Sequence, residues 1–428
     1  MAMAPTQGSA TPAGQATDGK ARFVLLLVFA VFFILGGVTN IIDVILPKLK
    51  GLYDLNHMQA NLINFAFFTA YALFSIPSGI IMSKLGYIRG FVLGFSMIAL
   101  ASLMFIPAAN SGIYASFLGA MFLIGAGITL LQVGMNPVTM ALGPSETAHS
   151  RLMFGQMFNS IGVVIMVAGG AQLLLGKGSD IDPATLSGEA LTAYRISEAQ
   201  EISQAYVGLA IVMTLIAVLF WFWRSALDGQ KAQEIKTEGT LALFLSNRRL
   251  QFGALCIFTY VGAEVAIGSN LISYLGDPGK MGLTQDQAKW YVPLYWSSAF
   301  IGRFVGAFLL RVVAPAKVLL TFASIALALV LTSAFTSGAI SGWTLVLVGL
   351  FNSVMFPTIF SLTTQGMTDE APQASGIMCT AIVGGAIVPV LFGAVADAGG
   401  LALALAVPAV CYAIIASYGV WNSRNAVG

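Results

Sequence analysis

Apolar residues along this chain do not alternate with polar ones at either period 2 or period 3.6. They run in long unbroken stretches separated by short polar punctuation. A bilayer core about 30 Å thick needs roughly 20 helical residues to cross it. That ruler predicts twelve membrane helices, over residues 23–46, 58–83, 89–107, 112–142, 151–176, 204–225, 250–275, 288–312, 317–337, 342–366, 373–396 and 400–422. Pro77, Pro137, Pro357 and Pro389 fall inside these stretches, where neighbouring helices can re-satisfy a freed carbonyl. Two connections are long: 177–203, with five acids against two bases, and 226–249, which joins the sixth and seventh spans.

Composition agrees about the solvent. Apolar residues make up 57% of the 428 and charged residues 9%, against roughly 25% in a soluble domain. So few charges cannot cover a water-facing surface of this size, so lipid is the expected environment and partner. Residues 1–20 are small and polar and read as a disordered tail rather than a signal peptide. Cys256, Cys379 and Cys411 sit in apolar runs with no paired spacing, which argues against a disulfide framework or a zinc site. No nucleophile–base set, phosphate loop or nucleic-acid-binding patch is present. Neither an enzyme nor a cofactor or metal is expected.

The basic residues set an orientation. With the N-terminus in the cytoplasm, thirteen Lys and Arg fall inside and six outside, and Arg303 alone lies well within a span. Both termini are therefore expected in the cytoplasm, with the protein in a bacterial inner membrane as a monomer. The long basic connection divides the chain six plus six: a tail at 1–20, bundles at 21–225 and 250–422, a linker at 226–249, and a C-terminal tail at 423–428. Weak internal similarity supports a duplication. Gly79 to Lys84 followed by Arg89 parallels Gly306 to Arg311 followed by Lys317, and Gln132 precedes Pro137 by the same five residues that separate Asn352 from Pro357. The expected fold is an all-α membrane protein of two pseudo-symmetric six-helix bundles, the layout of an alternating-access carrier.

An ionisable group at mid-bilayer costs about 2.5–3.5 kcal/mol on insertion scales, so each one is a functional candidate. Asp43, Glu264 and Arg303 qualify. A carboxyl partly withdrawn from water holds its proton more tightly and can load and release one under ordinary conditions. Asn40 shares the face of Asp43. Arg303 lies toward the cytoplasmic side and reads as a gating or structural cation, with Glu264 as a candidate partner; Lys84, Arg89 and Arg311 are further gating candidates at that side. Gln132, Asn136, Gln156, Asn159, Asn270 and Asn352 supply amides that both donate and accept, as sugar hydroxyls do. Interhelical glue is the alternative role for any one of them. Tyr260, Tyr274, Tyr291, Tyr295 and Trp296 add rings able to stack on a sugar or to anchor a helix at an interface.

Three segments, Asn40 to Pro47, Leu130 to Pro137 and Gly155 to Ser160, resemble the fucose/galactose/glucose–proton symporter family of the major facilitators. Tyr260 to Val265, Phe351 to Thr358 and Ala381 to Pro389 resemble its glucose/galactose branch. The resemblance implies cation-coupled uptake of a hexose-type sugar, proton-driven with sodium as the alternative, and places the protonation site at Asp43. The fucose carrier also uses a glutamate on span four; this chain has Gln132 there, which cannot titrate. The glucose/galactose branch is similar to this chain in carrying Gln at that position and Glu on span seven, so Glu264 is the expected second carboxylate. A drug–proton antiporter on the same fold is the competing expectation, though it would want a greasier cavity than these amides provide.

Overall fold

A computed structural model of the chain describes residues 18–141, 148–174, 186–224, 240–365, 367 and 370–425. Among these, every regular element is helical. Ten helices are long and apolar enough to cross a membrane, and apolar stretches at Val24–Thr39 and Phe154–Met166 lie in two further helices. Together they make the twelve spans. Large apolar side chains such as Leu100, Leu215, Phe222 and Phe308 stand exposed on the outside of the bundle, a surface that only lipid can cover.

Span one is Asp18–Asn40 continued by Ile42–Leu52, span two His57–Leu85, and span three Tyr87–Leu103 with Phe105–Ser111. Spans four, five and six are Tyr114–Ala141, Ala148–Leu174 and Gly188–Phe222. A short helix, Thr240–Ser246, leads to span seven, Arg248–Gly276. Span eight is Tyr291–Val312, span nine Pro315–Phe335, and span ten Gly338–Asn352 with Met355–Thr364. Span eleven runs Ala371–Thr380, a 3-10 turn, then Gly384–Gly399; span twelve is Leu401–Ala404 with Ala406–Asn425. The connections 1–2, 3–4, 5–6, 7–8, 9–10 and 11–12 therefore share one face, here termed distal. The start of span one and the end of span twelve lie on the opposite, terminal face.

Proline accounts for most of the interruptions. Its missing N–H frees the carbonyl four residues back and its ring crowds that turn. Span three breaks at Met104 ahead of Pro107, span ten at Ser353–Val354 ahead of Pro357, and span twelve at Leu405 ahead of Pro408. Span one breaks at Ile41, with Pro47 in its second segment. Pro77, by contrast, sits inside one continuous helix.

Close approach within each bundle uses glycine in matching places. A Cβ on Gly36 of span one would overlap the Asn159 carbonyl, and one on Gly162 of span five would overlap that of Phe33. In the second bundle a Cβ on Gly262 of span seven would run into Val388, and one on Gly384 of span eleven into the Phe258 carbonyl. Spans one and five thus pack backbone to backbone, as do spans seven and eleven, an approach only small residues permit.

One sequence expectation needs correcting. Residues 177–203 read as a connection, yet span six begins at Gly188 and continues unbroken for 35 residues. The polar first half of this helix is held by Lys48, whose ammonium pairs with Glu201 at 2.7 Å and Glu198 at 3.4 Å. Hydropathy registers only the lipid-embedded half of such a helix. Of the expected tails and linker, residues 1–17, 225–239 and 426–428 lie outside the described residues.

Candidate functional site

The two bundles meet chiefly along two seams, span two against span eleven and span five against span eight, and the second segment of span one also touches span seven. Some of the polar groups that the sequence singled out lie at or beside these seams: Arg303, Gln156 and Asn159 on spans eight and five, and Glu264 and Asn352 behind them in the second bundle. Discontinuous helices at mid-membrane free backbone groups for a solute.

In the second bundle the polar core is a tyrosine–amide network. Asn352 ends the first segment of span ten and is fully buried. Its Nδ2 donates to the Tyr295 hydroxyl at 3.0 Å, and its Oδ1 accepts from the Tyr412 hydroxyl at 2.8 Å. Tyr295 in turn donates to the backbone carbonyl of Glu264 at 3.3 Å. Glu264 itself is half-buried, and Tyr260, one turn earlier on the same face, shares a side-chain hydrogen bond with it. Trp296 packs edge-on against Tyr295, with ring centroids 5.2 Å apart. The amide of Asn352 is therefore spent on positioning two tyrosines around the helix that carries Glu264.

Arg303 bridges the bundles. Its Nη1 donates to the backbone carbonyl of Gln156 at 2.9 Å and to the hydroxyl of Ser160, both on span five. The charge also lies close enough to Tyr260 to act on it, as does that of Glu264. The cation assigned to gating at the cytoplasmic side is thus a strut across the 5–8 seam.

From the first bundle, Gln132, Gln156 and Asn159 are half-buried on spans four and five. Asn159 donates to the Phe32 carbonyl at 3.1 Å, which ties span five to span one beside Gly36. Asn270, six residues beyond Glu264 on span seven, is buried with its amide engaged by Asn61 of span two rather than by the tyrosine–amide network. Lys84 and Arg89 are exposed on the terminal face, at the end of span two and the start of span three. The backbones of Asn40, Asp43, Asn136 and Arg311 are placed at the helix break of span one, in span four and at the end of span eight. Their side chains lie outside the described parts of the structure.

Tyr412 is the member that sequence reading missed. A tyrosine within an apolar run reads as packing, and no neighbour in span twelve marks its hydroxyl as functional. The three cysteines are free thiols, Cys256 and Cys411 buried.

Comparison with known proteins agrees with this geometry. Residues 27–389 match the sequence profile of the Major Facilitator Superfamily. The chain is 40% identical to a glucose/galactose transporter of Brucella abortus over 94% of this chain and 95% of that one. It is 34% identical to the L-fucose-proton symporter of Escherichia coli, over 97% and 96% of the two chains. The outward-facing crystal structure of the E. coli fucose symporter superposes with a TM-score of 0.73 at 33% identity, covering 94% of this chain and 99% of that one. A bacterial homologue of the lysosomal transporter Spinster shares the fold, with a TM-score of 0.70 at 16% identity over 96% and 98% of the chains. Twelve spans in two glycine-packed bundles around a buried polar core, together with these matches, make the chain a multi-pass membrane transporter, not an enzyme, and a member of the Major Facilitator Superfamily.

Proposed function

We propose that this transporter imports a hexose-type sugar, glucose, galactose or a close relative, by proton-coupled symport across the bacterial inner membrane. The observation that carries this reading is the half-buried Glu264 beside Tyr260, Tyr295 and the Arg303 strut, facing a first bundle that presents Gln132, Gln156 and Asn159. Amides and hydroxyls that both donate and accept match a polyhydroxyl solute, because each sugar O–H can be met in either role. The similarity to a glucose/galactose transporter and to a fucose-proton symporter supports the same cargo class.

In this mechanism the terminal face is cytoplasmic and the distal face periplasmic, as the distribution of Lys and Arg expects. Asp43, just past the break of span one, takes a proton from the periplasm. Neutralising it removes the penalty for enclosing a charge, so the protonated, sugar-loaded carrier closes and reopens inward. Glu264 supplies the second carboxylate and, with the amides of Gln132, Asn136, Gln156 and Asn159, the hydrogen bonds to sugar. Asn352 acts through Tyr295 and Tyr412, and Trp296 backs Tyr295.

Uptake of a panel of labelled sugars into proteoliposomes, under an imposed proton or sodium gradient, tests this proposal. Glucose or galactose is expected to accumulate with a proton gradient. Asp43→Asn is expected to abolish accumulation and retain counterflow. Accumulation driven by sodium alone would move the coupling ion, and failure of every sugar in the panel to bind or accumulate would refute the cargo class.

A further inference from the structure

On the distal face the two bundles are joined by contacts that the sugar site does not use. Asp397, at the end of span eleven, places one carboxylate oxygen 2.8 Å from the backbone N of His57 and the other 2.9 Å from that of Met58. These are among the first N–H groups of span two, which have no partner within their own helix. The anion also meets the positive end of that helix. A Cβ on Gly393, one turn earlier on span eleven, would lie 2.6 Å from the His57 carbonyl oxygen, so the two backbones touch here.

One turn deeper, Asn61 of span two and Asn270 of span seven bond each other reciprocally. Asn61 Nδ2 donates to Asn270 Oδ1 at 3.1 Å, and Asn270 Nδ2 donates to Asn61 Oδ1 at 3.2 Å. Both residues are fully buried. Asn270 also donates to the Ala266 carbonyl at 2.9 Å, and Asn64 donates to Asn61 Oδ1 at 3.2 Å. Outside this pair lies a pocket of about 520 Å³, whose walls include Lys50, Asp54, His57, Ser273 and Asp277. Its size falls in the range of ligand-holding clefts, about 300–1,000 Å³. It sits over the level at which Asn61 and Asn270 join the bundles.

We propose that Asp397 and the Asn61–Asn270 pair form the bolt of the distal gate, holding the sugar path shut on that face and parting when the carrier opens outward. The chemistry suits a reversible closure. Water can replace each partner of a neutral amide pair when it separates, and Asp397 is exposed and stays solvated in either state. A buried ion pair in the same place would have to shed the water of two charges at every closure. Asn270 then belongs to the gate rather than to the sugar contacts. The proposal rests on the carrier reading above in naming what passes the gate and in taking the distal face as the outer one.

Cross-linking in membrane vesicles containing the full chain tests it. With Asn61→Cys and Asn270→Cys together, a mild oxidant is expected to join spans two and seven and stop sugar uptake, and a reductant to restore it. Adding Asp397→Ala removes both acceptors of the first contact and is expected to slow cross-linking about tenfold, the effect of losing charge-assisted hydrogen bonds. Asp286→Asn alters an acid that pairs with Lys289 in its own bundle and is expected to leave the rate unchanged. A pair that does not cross-link, a cross-linked carrier that transports at the reduced rate, or an unchanged rate in Asp397→Ala would each overturn the bolt. The cross-linking rates need no substrate, so a carrier that moves no sugar would refute the cargo while still reporting on the gate.

Discussion

Replacing Asn352 by leucine isolates the energetics of the tyrosine–amide network. The side chain is fully buried and both ends of its amide are occupied, so Asn352→Leu keeps the bulk and deletes two hydrogen bonds. Tyr295 keeps its bond to the Glu264 carbonyl, whereas Tyr412 has its hydroxyl bonded to Asn352 alone among the hydrogen bonds seen. Stranding one buried hydroxyl costs about 1–3 kcal/mol. Removing both partners in favour of apolar groups is close to neutral, so Asn352→Leu with Tyr412→Phe is expected to recover most of that loss. The buried thiols of Cys256 and Cys411 provide the assay, since a thiol-reactive dye labels them only as the bundle unfolds on heating in detergent. The expected order of midpoints is wild type highest, the double variant next and Asn352→Leu lowest. A double variant less stable than Asn352→Leu, or a single variant as stable as wild type, would refute the account of Asn352 as the clamp between two tyrosines.

Three further outcomes follow from packing and charge. Gly162→Ala puts a methyl group onto the Phe33 carbonyl and is expected to cut folded yield sharply in fluorescence size-exclusion profiles, whereas Gly208→Ala, with open space around it, leaves yield unchanged. Lys280 donates to the carbonyls of Ser333, Ala334 and Thr336 at the end of span nine, at 2.8–3.1 Å. Lys280→Met removes this donor from the Ala334 and Thr336 carbonyls, while that of Ser333 keeps the hydroxyls of Tyr274 and Ser341, and is expected to lower the unfolding midpoint by an amount equivalent to about 1–3 kcal/mol. Lys48→Ala frees the outer half of span six and is expected to speed proteolysis within residues 188–203, with at most about 1 kcal/mol of global destabilisation.

The twelve spans were legible in the sequence because lipid forces long apolar runs, a constraint that leaves little freedom. Span six shows where that legibility stops. Its outer half mixes acids and amides with a few apolar residues such as Ala199 and Ile202, which pack inward, and it is tied to Lys48, a partner that no local pattern announces. Among the prolines, Pro357 breaks its helix and Pro77 does not; neighbours that re-satisfy the freed carbonyl decide this, and sequence does not name neighbours. Glu264 and Arg303 stood out by cost alone, since a charge in hydrocarbon needs a reason. The partner of Arg303 did not, because its acceptors are a backbone carbonyl and a serine hydroxyl on the other bundle. Amides were the hardest to sort. Asn270 and Asn352 have the same chemistry as Gln132 and Gln156, and their partners, Asn61 for one and the two tyrosines for the other, come from distant spans that sequence does not bring together. Asp397 passed unnoticed because an acid next to the Gly399–Gly400 turn looks like ordinary loop solvation.

Span six is also a mechanical handle. Its 35 residues make a rod of about 50 Å, against a hydrocarbon layer of about 30 Å, so about two fifths of it stands clear of the bilayer core. The ion pairs with Lys48 fasten that stalk to span one of its own bundle. A fluorophore or a small binding protein seated there would turn with the first bundle alone, and paired with a marker on the 9–10 connection would convert the rocking of one bundle against the other into a distance that can be followed in real time.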